Sequence, residues 1–352
     1  MNRVLVSGLG NASDMGLCDA CDLNFSWLVH YPSILIWCDE ICLPQNALKA
    51  QKSSNDSKND LAINLFLDLA DSANLIKAID LSPLKEAGID KVISATAARD
   101  SVALLEHDSE IQKGSEGVPG EITINGQGYC HAVQTSIYTS ILNADLLDAS
   151  CLFSDYERTY LEKLYAVKEY THPKSSTATI FNEIFSLYLP ENLGLHNYAF
   201  TREDACIRCK HYDNCKSTYL GETEKAIKTV LEWRNYDEIQ RAKEELDKII
   251  KQKNNVTDKK SLEEIRRSYE NRQNRINKNI HSVFPKIERW TKLATFVATP
   301  LVVGAAVFAD NIPLVAAGAA IPEISKSIEA GVNYYKSKHN WVGFINQMSS
   351  DR

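Results

Sequence analysis

The sequence of 352 residues lacks the short motifs that identify the common enzyme classes. It contains no P-loop, no Gly-x-Ser-x-Gly and no His-Glu-x2-His, and its eight histidines are scattered without a partner pattern. No internal repeat is visible. With 44% hydrophobic and 24% charged residues, the composition is that of a globular protein, which excludes a disordered chain and a disulfide mini-protein. The sequence therefore names no reaction.

The first residues contain no apolar stretch after a basic segment, so we expect neither a secretory signal nor a transit peptide. We therefore expect the protein to be cytoplasmic, with peripheral contact to the membrane as the alternative. The nine cysteines are an odd number in a reducing compartment, which favours metal ligation or simple burial over a disulfide framework.

Charge is unevenly shared along the chain. Residues 222–352 carry 22 basic and 17 acidic side chains, whereas residues 1–221 carry 17 basic and 29 acidic ones. We predict a helix-rich α+β fold in three parts. A mixed α/β domain with a metal site takes residues 1–220, an antiparallel coiled-coil hairpin takes 221–291, and an apolar helical hairpin with a tail takes 292–352.

Local patterns predict the elements of the front part. Apolar and β-branched runs predict strands over residues 3–9 and Ser33–Cys38, and a further strand over Val92–Thr96 ahead of a helix at 97–107. Helical spacing predicts a helix over Asp60–Ile79. The Asn125-Gly126 pair favours a tight hairpin, and Ser154 with Glu157 forms a capping box at a helix start.

The back part predicts two long helices around a short break at 254–257. The first runs from Glu222 to about Lys253, and the second carries apolar side chains at alternating three- and four-residue spacing. Such a pair makes an antiparallel coiled-coil hairpin roughly 45 Å long. Two alternatives remain open, namely a hairpin packed on the body and a projecting arm for self-association or a protein partner through helices 222–290.

The most specific feature is a Cys-x2-Cys-x5-Cys cluster, Cys206, Cys209 and Cys215. Neighbouring basic side chains and a predicted helix start favour thiolates, and three thiolates nearly complete a tetrahedral site. We expect one of two cofactors: an iron–sulfur cluster of the four-iron (4Fe-4S) type, or a zinc ion.

The fourth ligand is left open by the spacing. His211 is one candidate and an upstream cysteine is the other, with the Cys-x2-Cys pair Cys18 and Cys21 preferred. If both pairs join, Cys18, Cys21, Cys206 and Cys209 form a zinc site that leaves Cys215 over. Cys130 and Cys151, which have no close partner in sequence, are expected to be ordinary core cysteines.

The Cys206-x2-Cys209-x5-Cys215 spacing resembles the C-terminal clasp of the iron–sulfur nucleases of CRISPR adaptation and of AddAB-type helicase-nucleases. In those proteins three clustered cysteines and one upstream cysteine hold a four-iron cluster. The resemblance covers about ten residues, and Gln134 with Tyr138 matches the Gln-x3-Tyr helix of the same family. The strand-borne Glu-x-Lys of the family is missing upstream of it, so the resemblance implies the cluster and not the nuclease activity.

Two weaker signals lie in the front part. The run from Val4 to Ser13 begins like a strand with a Gly-x-Gly phosphate-binding turn, although Ser13 replaces the third glycine, and a simple strand-to-loop turn explains it as well. Asp39 and Glu40 lie beside Cys38 and Cys42, where they suit a metal ion or, as adjacent acids usually do, face solvent.

The C-terminal part contains an apolar run. Leu293–Ala309 comprises seventeen uncharged residues, and a break at 310–313 precedes a shorter run over Leu314–Ile321. Seventeen residues make a helix of roughly 25 Å, at the lower limit for crossing a bilayer. We therefore favour a buried helical hairpin, with membrane contact through 293–321 as the alternative.

Three functional hypotheses follow. The first is a non-catalytic metal-binding interaction or sensor protein whose helical part recruits a partner. The second is an iron–sulfur enzyme acting on nucleic acid, and the third is a membrane-perturbing effector that uses the apolar hairpin.

Overall fold

The computed structural model describes most of the front part and most helices of the back part. The described residues are 2–9, 31–53, 58–80, 88–114, 120–168, 212–252, 259–283 and 321–343, with Phe25, Trp27, Leu28, Val118, Ala178, Phe181 and Pro285. Side chains are not described at 58–59, 168, 212–219, 222, 259–262, 283 and 321–329.

The described strands form two sheets. In chain order they are β1 Arg3–Val6, β2 Glu40–Pro44, β3 Ile76–Ile79, β4 Gln112–Lys113, β5 Ile122–Ile124, β6 Gln127–Tyr129 and β7 Ser150–Leu152. A four-stranded sheet has the order β3-β2-β1-β7, and its paired strands are all parallel. The antiparallel strands β4, β5 and β6 form a small second sheet.

Ten described α-helices connect and flank these strands. They are α1 Ile34–Trp37, α2 Gln45–Ser53, α3 Lys58–Ser72, α4 Ile89–His107, α5 His131–Leu146, α6 Asp155–Lys168, α7 Tyr212–Trp233, α8 Asp237–Gln252, α9 Lys259–Lys278 and α10 Ile321–Lys338. A π-helical turn, Asn279–Val283, follows α9.

The parallel sheet is buried on both faces. Val4, Val6, Ile41 and Leu43 alternate with Leu5, Cys42 and Cys151, and the two sets belong to different hydrophobic clusters. Alternation of this kind sends successive side chains to opposite faces of a sheet. Helices α1–α3 cover the first face, while α4–α6 and the β5–β6 hairpin cover the second, so the front part is a three-layer arrangement.

Helices of the back part pack on the first face of the sheet. Ile227 of α7, Ile239 of α8, Tyr269 of α9 and Tyr335 of α10 belong to the same cluster as Val4. Several apolar residues of the predicted hairpin, such as Ile239 and Tyr269, are therefore buried, and the hydroxyl of Tyr269 donates to the carbonyl oxygen of Ala242, 3.4 Å away.

The first long helix of the back part is divided, contrary to the prediction of one helix from Glu222 to about Lys253. It ends at Trp233, and α8 begins at Asp237 after a turn. The turn is held because the guanidinium of Arg234 donates to the carbonyl oxygens of Leu35 and Cys38, both at 2.8 Å. The arms α8 and α9 are consequently about 24 and 30 Å long rather than 45 Å.

Three further element predictions were wrong. The apolar run Ser33–Cys38 contains the single-turn helix α1, and the strand follows it as β2. Val92–Thr96 is part of the continuous helix α4 and not a strand. The predicted helix over Asp60–Ile79 ends at Ser72, and its last four residues form β3.

The predicted hairpin is confirmed. Strands β5 and β6 pair in register, and the loop residues Asn125 and Gly126 have φ angles of 51° and 80°. Two consecutive positive φ angles define the tight turn that the Asn-Gly pair favours. The capping box is confirmed as well, with Ser154 preceding α6.

The structure confirms a helix-rich fold that mixes helices with a parallel and an antiparallel sheet. Across the described helices, none has both the length and the apolar character needed to cross a lipid bilayer. The apolar run 293–309 and most of 314–321 lie outside the described residues.

Candidate ligand-binding site

The strand order creates a topological switch point between β1 and β7. The chain passes from β1 to β2 to β3 in one direction and then returns to β7 on the other side of β1. Connections that leave two adjacent parallel strands in opposite directions open a crevice at the carboxyl ends of those strands. Ligands of open α/β sheets bind in this crevice.

Ser7 and Glu157 join the two strands at this point. Ser7 directly follows β1, and its N–H donates to the carbonyl oxygen of Leu152 at 2.9 Å. Its hydroxyl donates to Oε1 of Glu157, in the first turn of α6, and both side chains are fully buried. Because Glu157 follows β7 by only five residues, the contact bridges the carboxyl ends of the two strands.

The second carboxylate oxygen of Glu157 serves the capping box. The N–H of Ser154 donates to Oε2 at 2.9 Å, and the hydroxyl of Ser154 donates to it at 2.8 Å. Ser7, Ser154 and Glu157 together are called the buried network below. Burial raises the pKa of Glu157 to about 7, and it outweighs the donors of Ser7 and Ser154, which lower the pKa.

Three exposed or half-buried polar side chains contact one another at the start of α6, the helix that also carries Glu157. The Tyr31 hydroxyl donates to Oδ1 of Asp155, and the Arg158 guanidinium forms an ion pair with the same oxygen. The side chain of Asp155 is 73% exposed, whereas that of Arg158 is 28% exposed. We call Tyr31, Asp155 and Arg158 the rim. It offers a carboxylate, a phenol and a guanidinium to solvent over α6.

Gly8, which follows β1, packs closely against α2. A Cβ atom at Gly8 would lie 2.5 Å from Cβ of Ala47, so a side chain does not fit there. The first glycine of the Gly-x-Gly turn is therefore explained by the approach of α2. Gly10 and Ser13, the rest of the phosphate-binding pattern, lie outside the described residues.

The predicted metal ligands are largely outside the described part of the chain. Cys18, Cys21, Cys206, Cys209 and His211 are not described, and Cys215 is described only by its backbone, as the fourth residue of α7. Among the residues that the structure describes, there is no group of three or more His, Cys, Asp or Glu side chains arranged to hold a metal ion.

The four described cysteines are buried, as predicted for Cys130 and Cys151. Cys38 Sγ donates to the carbonyl oxygens of Asn2 and Glu40, 3.2 and 2.9 Å away. Burial raises the pKa of Cys42 to about 12, with a hydrogen bond to Glu40 in the same direction. Burial also raises the pKa of Cys38 and Cys151 above the ordinary thiol value, and a raised pKa disfavours the thiolate form that binds metal ions.

Asp39 and Glu40 are engaged in ion pairs and do not face solvent as free acids. Asp39 lies 2.9 Å from Nζ of Lys243, and Glu40 lies 2.7 Å from Nε of Arg3. Burial raises the pKa of Asp39, but the N–H of Asn2 and the Lys243 ammonium hold it below its usual value overall. Both acids belong to the amino edge of the sheet, opposite the switch point.

Gln134 and Tyr138, which match the Gln-x3-Tyr helix of iron–sulfur nucleases, form hydrogen bonds next to the hydrophobic cluster on the second face of the sheet. Gln134 Nε2 donates to the carbonyl oxygens of Gly120 and Tyr129, and its Oε1 accepts from Ser101 at 2.6 Å. The Tyr138 hydroxyl donates to the buried carboxylate of Asp100. Their polar atoms are thus used between α4, α5 and the hairpin.

The sequence pattern predicted the capping box of Ser154 and Glu157 but not the hydrogen bond that Glu157 accepts from Ser7. The signal that was available is a serine at the end of the first apolar run, Ser7, because a polar residue there sits at the carboxyl edge of a buried strand. The partner of Ser7 depends on which strand lies beside β1, and a local pattern does not contain that information.

No protein-family model, curated protein or solved structure matches this chain.

Proposed function

We propose that the protein binds a small hydroxylated molecule, such as the ribose of a nucleoside or nucleotide, at the switch point between β1 and β7. The observation that carries the proposal is the pairing of Ser7 with Glu157 across the carboxyl ends of these strands, in the same first turn of α6 as Asp155 of the rim. The crevice at such a point is the usual ligand site of an open parallel sheet.

The charges of the rim select hydroxyl groups over a bare phosphate. Two carboxylates, Asp155 and Glu157, lie in the first turn of α6, where they already satisfy the positive end of the helix dipole. A phosphate would meet like charge there, whereas the hydroxyls of a sugar can donate to Asp155. Arg158 and Tyr31 then supply donors for further oxygens of the ligand.

Ligand binding can displace the contacts that close the rim. The ion pair between Asp155 and Arg158 is largely exposed at Asp155, and exposed pairs contribute only about 0–1 kcal/mol. Exchanging this pair for ligand hydroxyls therefore costs little. The buried network beneath it keeps Ser154 and the start of α6 in place, so the rim is presented by a fixed helix.

Calorimetric titration of the full chain tests the proposal. Adenosine, guanosine, cytidine, uridine and the corresponding nucleotides are titrated into wild type and into Asp155→Asn. We expect binding of at least one nucleoside, and about a tenfold weaker affinity in the variant, because an amide is a poorer acceptor than a carboxylate.

The matched control is Glu162→Gln, which changes an exposed carboxylate on the same helix. It should bind the nucleoside as wild type does. The proposal fails if wild type binds none of these compounds, or if Asp155→Asn and Glu162→Gln bind with the same affinity as wild type.

A metal site held by Cys206, Cys209 and Cys215, with Cys18 or Cys21 as the remaining donor, is the second candidate. The observation that favours it is the position of Cys215 in α7, a helix that is anchored in the core by Ile227 and Val230. An iron–sulfur cluster or zinc ion would fix the segment before α7 to this anchored helix. The protein would then be a metal-binding interaction or sensor protein.

The helical back part fits this second role. Helices α8 and α9 contact one another through Tyr269 and Ala242. In the proposal these two helices form an antiparallel coiled-coil hairpin. An apolar helical hairpin follows in residues 292–352. The outer faces of α8 and α9 are rich in charged side chains such as Arg266 and Glu270, which suits recognition of a protein partner.

Anaerobic purification followed by metal analysis and an absorption spectrum tests the metal site. We expect about one zinc ion or one iron–sulfur cluster per chain in wild type, and loss of metal with a lower melting temperature in Cys209→Ser. Cys130→Ser, at a core cysteine, should keep its metal. Unchanged metal content in Cys209→Ser, or a wild-type protein without metal, contradicts the site.

A further inference from the structure

Helix α4 has an apolar face that points to solvent. Val92 is 65% exposed and Val102 is 53% exposed, and Leu105 and the alanines Ala95 and Ala98 are exposed as well. The opposite face of the helix carries the buried residues Ile93, Ala97 and Leu104, and Leu104 belongs to the second hydrophobic cluster. A helix with apolar residues on both faces is unusual at a protein surface, where the outer face is normally polar.

The exposed apolar residues form a stripe along the helix. Ala95, Ala98, Val102 and Leu105 follow one another at spacings of three, four and three residues. This spacing keeps side chains on one side of a helix and is the pattern of a helix–helix seam. The small side chains of Ala95 and Ala98 allow a second helix to approach closely at this part of the stripe.

The sequence of this face is self-complementary about a point between Ala98 and Arg99. Reversal about that point exchanges Ala95 with Val102, and it exchanges the basic Lys91 with the acidic Glu106. Val92 and Leu105 exchange in the same way. An antiparallel second helix of the same sequence would therefore place apolar residues against apolar residues on either side of the centre and opposite charges at both ends. At the centre it would place Arg99, whose side chain is 71% exposed, against Ala98.

We propose that α4 is the contact surface of a two-fold symmetric dimer, with α4 of the second copy packed antiparallel on the stripe. A two-fold interface uses the same surface on both copies and must match itself, which this face does in its apolar pairs and in the charges at its two ends. A parallel arrangement would place Lys91 against Lys91 of the partner subunit. The surface is separate from the rim and from helices 222–290, so the dimer does not depend on the proposed ligand or metal.

Sedimentation equilibrium of the full chain over a wide concentration range tests the dimer. Wild type should reach twice the chain mass, and Val102→Glu should raise the dissociation constant about a hundredfold, because a carboxylate would be buried without a partner. Leu146→Glu is the control, since Leu146 is 67% exposed on α5 and lies outside the stripe. Its dissociation constant should equal that of wild type.

Charge reversal tests the antiparallel register. Lys91→Glu and Glu106→Lys should each weaken the dimer about threefold or more, and the double variant should recover the wild-type dissociation constant. All four substitutions lie on exposed positions, and melting curves check that each variant folds. A wild-type protein that stays monomeric, a Val102→Glu dimer as strong as wild type, or a double variant without recovery overturns the proposal.

Discussion

At the scale of single residues, the account depends on a carboxyl group that is buried where two strands end. Glu157 accepts hydrogen bonds from Ser7 and Ser154, yet burial raises its pKa to about 7 from an ordinary value of 4.5. The folded state therefore binds a proton at this site more tightly than the unfolded chain does. Its stability must depend on pH in the range between these two values.

The pH dependence has a defined sign. Below about pH 4.5 the group is protonated in both states, and stability is lost as pH rises to about 7, because deprotonation leaves a charge in the core. The shift corresponds to about 3 kcal/mol over this range, from about 1.4 kcal/mol per pKa unit. In Glu157→Gln, whose amide can donate to Ser7, this loss should disappear.

Chemical unfolding of wild type and Glu157→Gln at several pH values measures the effect. We expect the free energy of unfolding of wild type to fall, relative to that of the variant, as pH rises from 4.5 to 7. Glu162→Gln should follow the wild-type curve. A constant difference between wild type and Glu157→Gln would show that the pKa of this carboxyl is not raised.

Gly8 gives a second prediction at this scale. Gly8→Ala should lower the free energy of unfolding by about 1–3 kcal/mol, because its Cβ atom would lie 2.5 Å from Cβ of Ala47. Gly221→Ala is the control, since Gly221 lies in α7 with no atom within 4 Å of an added Cβ. It should stabilise the protein by about 0.5–1 kcal/mol. Equal effects of the two substitutions would contradict the close approach of α2.

At the scale of elements, local signals identified turns and caps better than buried strands. The Asn125-Gly126 turn and the Ser154–Glu157 capping box depend on backbone geometry within four residues, and both were predicted. Ile34–Trp37 is buried on all sides, so its apolar run carries no period that separates helix from strand. The predicted strand over Val92–Thr96 was wrong because Val92, a β-branched residue typical of buried strands, lies exposed on the outer face of α4.

The contact between α8 and the amino edge of the sheet provides an asymmetric prediction. Lys243 is 6% exposed and lies 2.9 Å from Asp39, which is itself 33% exposed and also accepts from the N–H of Asn2. Asp39→Asn leaves the buried ammonium without its counter-charge and should cost about 3 kcal/mol. Lys243→Met leaves a carboxylate that still reaches water and a donor, so it should cost much less.

Urea unfolding of the two single variants and of Asp39→Asn/Lys243→Met measures this asymmetry. The double variant should regain most of the stability lost in Asp39→Asn, because no buried charge remains. Equal losses in both single variants, or strictly additive losses in the double variant, would contradict a buried Lys243 that depends on Asp39.

At the scale of the whole molecule, the arrangement of strands determines where function can lie. The sequence predicted a front part that mixes strands and helices, but it contained no signal that β7 returns to lie beside β1. This pairing joins residues about 150 positions apart, Ser7 and Glu157, and only the folded chain brings them together. Three of the proposed metal ligands, Cys206, Cys209 and Cys215, are by contrast close in sequence and could be proposed from spacing, which left the fourth ligand open.

The charge difference between the two halves is partly explained by contacts between them. The front part is acidic and the back part is basic, and the two contact each other: Asp39 pairs with Lys243, and Arg234 donates to the carbonyl oxygen of Cys38. Part of the basic charge of the back therefore serves contact with the front of the same molecule. Residues from both halves share one hydrophobic cluster, so unfolding of the described sheet and of α7–α9 should be coupled.

Hydrogen exchange with and without the tightest-binding nucleoside is the most direct test of the proposed ligand site. We predict that the ligand slows exchange in peptides that contain Tyr31 and in those that cover 153–158, with no change in α4 or α9. Protection confined to other parts of the molecule, or no protection at saturating nucleoside, would contradict a ligand site at the switch point between β1 and β7.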